Sequence, residues 1–227
     1  MMTKSVFRTA ARDSLPVLAG YVVLGMGFGL LMDRSGYGVW WSLAMSLFLY
    51  AGSMQYIGVG LLTSGASLLS VALTTLMVNA RHLFYGLSMV EKYKDTGAKK
   101  PYLIFSLTDE TYSIVCSSEK DSNFYFLVSL LDHSYWVLGT AVGSLLGSVL
   151  RFNTEGIDFA LTALFLTVFT DQWLHGKKHF PAVCGVVVSV ACLLLFGPER
   201  FLIPAMLLIA AALVSKGYLK KEVKTDG

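Results

Sequence analysis

Leu47-Phe48-Leu49-Tyr50-Ala51-Gly52-Ser53-Met54-Gln55-Tyr56 is an apolar run interrupted by small and polar residues at the depth where a membrane helix should be most apolar. The pattern recurs 117 residues later, counted from Ser53 to Thr170, as Leu164-Phe165-Leu166-Thr167-Val168-Phe169-Thr170-Asp171-Gln172-Trp173. Both stretches open on Leu-Phe-Leu and carry a hydroxyl (Ser53, Thr170), then a glutamine (Gln55, Gln172) followed by an aromatic. They read as equivalent broken segments in two halves of one membrane fold.

Composition supports a membrane setting. Hydrophobic residues make up 55% of 227 and charged residues 15%, with a mean hydropathy of +0.61; a soluble domain of this size could not cover that much apolar surface. The runs are too long and too uniformly apolar for alternating barrel strands, so an all-α polytopic protein is expected. Lysines and arginines sit between the runs, which reads as membrane topology and not as a nucleic-acid surface. Cys116, Cys184 and Cys192 all lie in apolar stretches, an odd number that argues against a disulfide framework. Lys4, Arg8 and Arg12 precede an apolar run with no cleavage pattern at its end, so that run is read as a first transmembrane helix.

Eight apolar segments run approximately over 15–32, 39–62, 68–89, 102–117, 124–150, 157–174, 182–196 and 201–214. Short connections suggest one membrane domain: a first repeat over about 14–92, a connecting helix over about 101–117 and a second repeat over about 124–215. If all eight segments cross, ten basic residues fall inside and seven outside. If the second and sixth are re-entrant hairpins of two half-helices, fourteen fall inside, and Arg34, Lys120 and Arg200 remain outside. The second arrangement fits the excess of positive charge on the cytoplasmic side far better, and it leaves both termini cytoplasmic. Broken backbone at membrane depth is tolerated where it lines a cavity or is buried in protein.

The repeat extends to the helices before the breaks. Tyr21-Val22-Val23-Leu24-Gly25, with Gly29, matches Tyr135-Trp136-Val137-Leu138-Gly139, with Gly143. Three full spans between the matching points would invert the second half, and inverted repeats place substrate sites near the midplane. The glycines four apart form stripes suited to close helix packing.

The third segment carries Asn79, Arg81 and His82 within an apolar run. A buried arginine costs roughly 2.5 to 3.5 kcal/mol on insertion scales, so it needs a partner; the alternative is that Arg81 and His82 snorkel to the basic loop at Lys92. In the fourth segment Ser106, Glu110, Ser113 and Ser117 follow the spacing of one helical face, with Asp109 on its flank. Two adjacent carboxyls in a low dielectric resist ionising together, so one could carry an exchangeable proton. The alternative is an amphipathic helix at the interface. Asp132 and His133 read as a plain helix-end pair. No metal-ligand spacing, nucleophile elbow, phosphate loop or dinucleotide fingerprint occurs, so no cofactor is expected.

Three of these motifs, Tyr50-Ala51-Gly52-Ser53-Met54-Gln55, Asn79-Ala80-Arg81-His82-Leu83-Phe84-Tyr85 and Leu107-Thr108-Asp109-Glu110-Thr111, occur in order along the chain. Their combination resembles the AzlC-type large subunits of bacterial branched-chain amino acid exporters. The resemblance implies export of hydrophobic amino acids such as valine, leucine and isoleucine from the cytoplasm, driven by the proton motive force. It also implies a bacterial inner-membrane location and a small AzlD-type membrane subunit as partner.

A zwitterionic substrate needs donors for its carboxylate, an acceptor for its ammonium and an apolar pocket. The breaks after Gly52 and near Asp171 could supply helix N-terminal amides for the carboxylate. Tyr50, Gly52, Ser53, Met54, Gln55, Asn79, Asp171 and Gln172 are therefore the candidate substrate-binding residues, and Arg81, His82, Asp109 and Glu110 the candidate proton-coupling or gating residues. A re-entrant-loop channel, a carrier for another small solute and a membrane-embedded enzyme are the other classes; the enzyme has no convergent catalytic spacing to support it.

Overall fold

The computed structural model of the chain describes residues 4–118, 120–149, 179–197 and 201–225, together with Leu166, Phe169, Thr170, Trp173 and Leu174, apart from the side chains of 202 and 216–225. Every described element is helical, as the apolar runs require. The chain divides into two compact units, Met1–Thr162 and Ala163–Gly227.

The first unit is built on two long helices, α1 (Lys4–Arg34) and α8 (Ser122–Val149). At 1.5 Å per residue each is more than long enough to cross a bilayer. Their glycines explain the pairing. A Cβ on Gly25 would fall 2.8 Å from Trp136 O and 3.2 Å from Gly139 C; one on Gly29 would collide with Thr140 O and one on Gly143 with Met26 O. Hydrogen at these positions lets the two backbones touch. The partners advance together, Val22 facing Gly139, Met26 facing Gly143 and Asp33 facing Gly147. The helices therefore run parallel, with equivalent repeat positions Gly25 and Gly139, and Gly29 and Gly143, in contact. This corrects the inverted relation expected from the sequence, for which these two helices would be antiparallel.

The reason lies in the segments between them. The second segment is broken, as expected, into α2 (Val39–Phe48) and α3 (Gly52–Thr63). Going along α2, Ser42 meets Ser144, Ser46 meets Thr140, and Tyr50 reaches His133 and Tyr21. The chain then doubles back: Gln55 Nε2 donates to Ser46 Oγ, and Tyr56 donates to Leu24 O and packs on Phe28. α2 and α3 thus form a hairpin entering from the end of α1 that carries Arg34. Next, α4 (Leu68–Asn79) and α5 (Arg81–Met89) pass from that end to the other, with a tight turn at Ala80, where Ala80 N–H donates to Met77 O and Leu83 N–H to Ala80 O.

The fourth segment departs from expectation. It is two short helices, α6 (Lys100–Phe105) and α7 (Asp109–Cys116), forming a second hairpin that enters from the end where α1 begins. Its two feet lie together. Lys92 Nζ donates to Val115 O, Cys116 O and Ser118 O (2.6–3.1 Å), Lys99 donates to Asn123, and Lys120 pairs with Asp13 at 2.8 Å. One hydrophobic cluster gathers Ala10, Met89, Tyr93, Leu103, Val115 and Phe124 beneath it. The two crossings expected between α1 and α8 become one, which is why α8 repeats the direction of α1 and why Lys120 lies at the same end as Lys4, not opposite. Ser106 ends α6 and so does not share a face with Glu110, because Thr108 caps a new helix, its Oγ1 accepting from Thr111 N–H.

The exterior is inside-out relative to a soluble protein. On α8, Ser129, Asp132, Thr140 and Ser144 are fully buried, whereas Leu138 and Val149 are 60% and 78% exposed. α4 buries no residue at all, and Trp40, at the start of α2, is 80% exposed. Such a surface is stable in lipid and not in water.

In the second unit, α9 (Phe180–Phe196) starts with Pro181 in its first turn and stops at Gly197, whose φ of 75° suits glycine. It packs against α10 (Leu202–Thr225). Asp171 and Gln172, and most of the sixth segment, lie outside the described residues.

Candidate functional site

The tips of the two hairpins of the first unit meet midway along α1. Tyr50 stands at the tip of the first with φ of 40°, a left-handed conformation that costs a non-glycine residue on the order of 1 kcal/mol and persists only when its surroundings impose it. Its buried ring lies 4.2 Å from His133 and 6.2 Å from Phe105 of the second hairpin, centroid to centroid. Gly52 follows as the first residue of α3, so the break precedes it, and a Cβ there would come within 3.0 Å of the Trp136 ring.

Because α3 and α7 both begin at the tips, both turn their N-termini toward mid-depth. The first turn of α3 has no side-chain cap. Ser53 in that turn accepts a 2.7 Å hydrogen bond from Arg81 Nη2, and the same nitrogen lies 3.3 Å from Asp109 Oδ2 in the first turn of α7. Arg81 therefore does not snorkel; it ties the two hairpin tips together, and the partner its burial demanded is Asp109. Negative charge in the first turn of α7 also suits the helix dipole.

Around this bridge are unused acceptors. Gln55 is 1% exposed and donates to Ser46, but its Oε1 has no partner among the described residues, and neither does Asn79 Oδ1. Buried polar atoms of this kind are uncommon without a ligand or water. Met54, in the first turn of α3, is half-buried. His82 Nδ1 sits 3.1 Å from Asn79 O, and the ring borders a cavity of about 270 Å³ with Gly86, Lys100, Ile104 and Leu107. The candidates Ser53, Arg81 and Asp109 thus converge directly, Glu110 adjoins them on α7, and Tyr50 is linked to Glu110 through Tyr21. In the second unit, Phe169, Thr170 and Trp173 line an apolar cavity of about 420 Å³ with Val183, Val186 and Val187 of α9.

Sequence reasoning undervalued α8. Asp132 and His133 are not at a helix end: Asp132 is the eleventh residue of α8 and is fully buried. It accepts a 2.8 Å bond from Thr111 Oγ1. His133 Nε2 lies 3.1 Å from Ser46 O, and its Nδ1 faces Tyr102 OH at 3.1 Å, linking both hairpins to α8. Tyr21 was likewise read only as part of the repeat, yet its hydroxyl donates to Glu110 Oε2 at 2.7 Å and lies 2.6 Å from Thr108 Oγ1. A usable signal existed for Asp132, since eight residues past Phe124 are about 12 Å of helix, already deep in a span.

Residues 16–150, which hold both hairpins, match the model of the family described as AzlC protein. The chain is 44% identical to the branched-chain amino acid transport protein AzlC of Bacillus subtilis, over 92% of this chain and 84% of that protein. It is 43% identical to an uncharacterized membrane protein of Helicobacter pylori (92% and 93%), and 28% identical to the inner membrane protein YgaZ of Escherichia coli (90% and 86%). No solved structure matches the chain. Relatives named as membrane proteins fit the apolar exterior, and the family match covers the helices that carry Tyr50, Ser53, Arg81 and Asp109: the chain belongs to the AzlC family.

Proposed function

We propose that this protein is a secondary transporter subunit that exports branched-chain or other hydrophobic amino acids in exchange for protons. The observation that carries the reading is the Ser53, Arg81 and Asp109 bridge between two hairpin tips at mid-depth. Together with 44% identity to a protein named for branched-chain amino acid transport, it favours a small zwitterion as substrate.

The two hairpins act as re-entrant segments, and their tips form the site. The substrate carboxylate takes the uncapped amides of Gly52, Ser53 and Met54 with the Arg81 guanidinium, a combination of helix dipole and fixed charge. Its ammonium takes Asp109 or Glu110, with Gln55 Oε1 and Asn79 Oδ1 as neutral acceptors. Tyr50 and Met54 face the aliphatic side chain. Arg81 and His82 gate the site, because substrate entry must loosen the Arg81 and Asp109 pair, and Asp109 and Glu110 exchange the coupling proton. A small AzlD-type membrane subunit completes the transporter in the bacterial inner membrane, with both termini cytoplasmic, as the lysine-rich tail favours.

Inside-out vesicles containing both subunits test this. Labelled leucine should accumulate when the vesicles are energised, and the accumulation should collapse with an uncoupler. Flux that ignores the uncoupler would point to a channel and remove proton exchange from the account.

A further inference from the structure

A chain of hydroxyls connects two carboxyl groups across the tips. Glu110 Oε2 lies 2.7 Å from Tyr21 OH, which lies 2.6 Å from Thr108 Oγ1; Thr108 Oγ1 lies 3.1 Å from Thr111 Oγ1, which lies 2.8 Å from Asp132 Oδ2. Tyr21, Thr108, Thr111 and Asp132 are buried, and Glu110 is half-buried beside the Arg81 bridge.

Proton counting decides how this chain is filled. It has four oxygen–oxygen contacts at hydrogen-bond distance and three hydroxyls, each with one proton. If both carboxyls are ionised, Tyr21 donates to Glu110, Thr111 donates to Asp132, and Thr108 has one proton for its two neighbours Tyr21 and Thr111. One of those two contacts is then left with no proton, and two oxygen lone pairs face each other. One added proton completes the chain in either of two directions. Protonated Glu110 donates to Tyr21, Tyr21 to Thr108, Thr108 to Thr111, and Thr111 to ionised Asp132. Alternatively, protonated Asp132 donates to Thr111, and each donation reverses through to ionised Glu110. In both, Thr108 Oγ1 also accepts from Thr111 N–H, within the capacity of a hydroxyl.

We propose that Glu110 and Asp132 hold a single proton between them and pass it along Tyr21, Thr108 and Thr111, which makes Asp132 the inner proton site of the transport cycle. The proposal rests on the proton-exchange reading above and deepens it. A proton taken up by Glu110 moves by four successive transfers: each O–H bond along the chain breaks as the next forms, and the last forms on Asp132. Charge and protons balance, because Glu110 becomes ionised as Asp132 becomes neutral. The three hydroxyls are left pointing the other way, so they must rotate back before a second proton follows in the same direction. Other titratable or charged groups facing the chain are Arg81 and Asp109 beside Glu110, Tyr50 and Tyr102 beside Asp132, Tyr85 near Asp109, and His133 next along α8. Since Glu110 adjoins Arg81 whereas Asp132 is held by Thr111 and meets the substrate residues only beside Tyr50, a proton taken up at Glu110 is relayed away from the Arg81 bridge.

Two measurements test it on the full chain with its small subunit. The first counts protons without transport. Near neutral pH, the infrared carboxylic-acid carbonyl band that disappears in the Glu110→Gln, Asp132→Asn double variant should integrate to one acid per chain; zero or two would overturn the shared proton. The second uses Tyr21→Phe and Thr111→Val, which remove one hydroxyl while keeping shape, with Thr111→Ser as the restoring variant. Gradient-driven leucine accumulation should fall at least about tenfold in the first two, the order expected for a lost hydrogen bond to a charged group. It should recover in Thr111→Ser, and leucine counterflow without a gradient should persist throughout. Unchanged accumulation in Thr111→Val, or an equal loss of counterflow, overturns the relay. A chain with one shared proton that moves leucine under no condition overturns the transport reading instead.

Discussion

Arg81 is the residue on which the two hairpin tips depend, and its pairing can be measured. Its side chain and that of Asp109 are each slightly more than a quarter exposed, so the pair falls between a surface ion pair and a buried one. Arg81→Gln should destabilise the detergent-solubilised protein by about 1 to 3 kcal/mol, since it leaves Asp109 without its cation. Adding Asp109→Asn should recover part of the loss, with a non-additivity of at least about 0.5 kcal/mol in thermal unfolding; strictly additive losses would mean the two do not interact. Outside the membrane, Asp121 accepts from Asn123 Nδ2 and Phe124 N–H at the start of α8, and these bonds hold its carboxyl below the usual aspartate value. A carboxyl lowered in the folded state favours folding above the unfolded value, 3.8, and that contribution disappears as pH falls through the lowered one. Asp121→Asn should therefore flatten the acid limb of the unfolding midpoint plotted against pH; superimposable acid limbs would deny Asp121 this role. At this scale the sequence marked Ser53, Arg81, Asp109 and Glu110 because polar groups in apolar runs are costly. It could not mark Tyr21 or Thr111, whose types are ordinary in a membrane helix until their neighbours are known.

Among the elements, the contact between α1 and α8 is the tightest and the most sensitive to volume. Gly143→Val should displace Met26 backbone and cost about 1 to 3 kcal/mol or more by overpacking. Gly20 on the same α1 has nothing within 4 Å of where a Cβ would go. Gly20→Ala should therefore be neutral or stabilising by up to about 1 kcal/mol through helix propensity. The test is a pair of unfolding midpoints in detergent, and equal effects from the two substitutions would refute the packing assigned to the glycine stripe. The stripe was legible from its four-residue spacing, and the break at Tyr50 from its small residues. The break before Asp109 was missed because the serine spacing imitated one helical face. Thr108 followed by Asp109 and Glu110 is nonetheless a helix-start signal, a capping hydroxyl with acids in the first turn.

Over the whole molecule, the second hairpin resets the sidedness of everything after it. Lys4, Lys92, Lys99 and Lys120 belong to one end of the first unit and Arg34 to the other. Single cysteines replacing Lys94 and Lys120 should react with an impermeant thiol reagent from the same face of the membrane, and one replacing Ser64 from the opposite face. Labelling of the first two from opposite faces would restore a full crossing by 102–117 and contradict the hairpin.

The sequence by itself determined that the chain is helical and membrane-embedded, that its second segment is broken, and that Arg81, Asp109 and Glu110 interrupt its apolar runs. These follow from local composition, because transfer of polar and apolar groups into lipid is a property of each stretch taken alone. Only the tertiary structure decided that the fourth segment turns back, that α8 runs parallel to α1, and that Glu110 and Asp132 are joined through Tyr21, Thr108 and Thr111. Those depend on contacts between residues far apart in the chain, 89 positions for Tyr21 with Glu110 and 117, counted from Val22 to Gly139, for the helix contact. The positive-charge rule could not find them either. It counts crossings, and Lys120 at the foot of a hairpin leaves no trace in the local sequence of which side it will occupy.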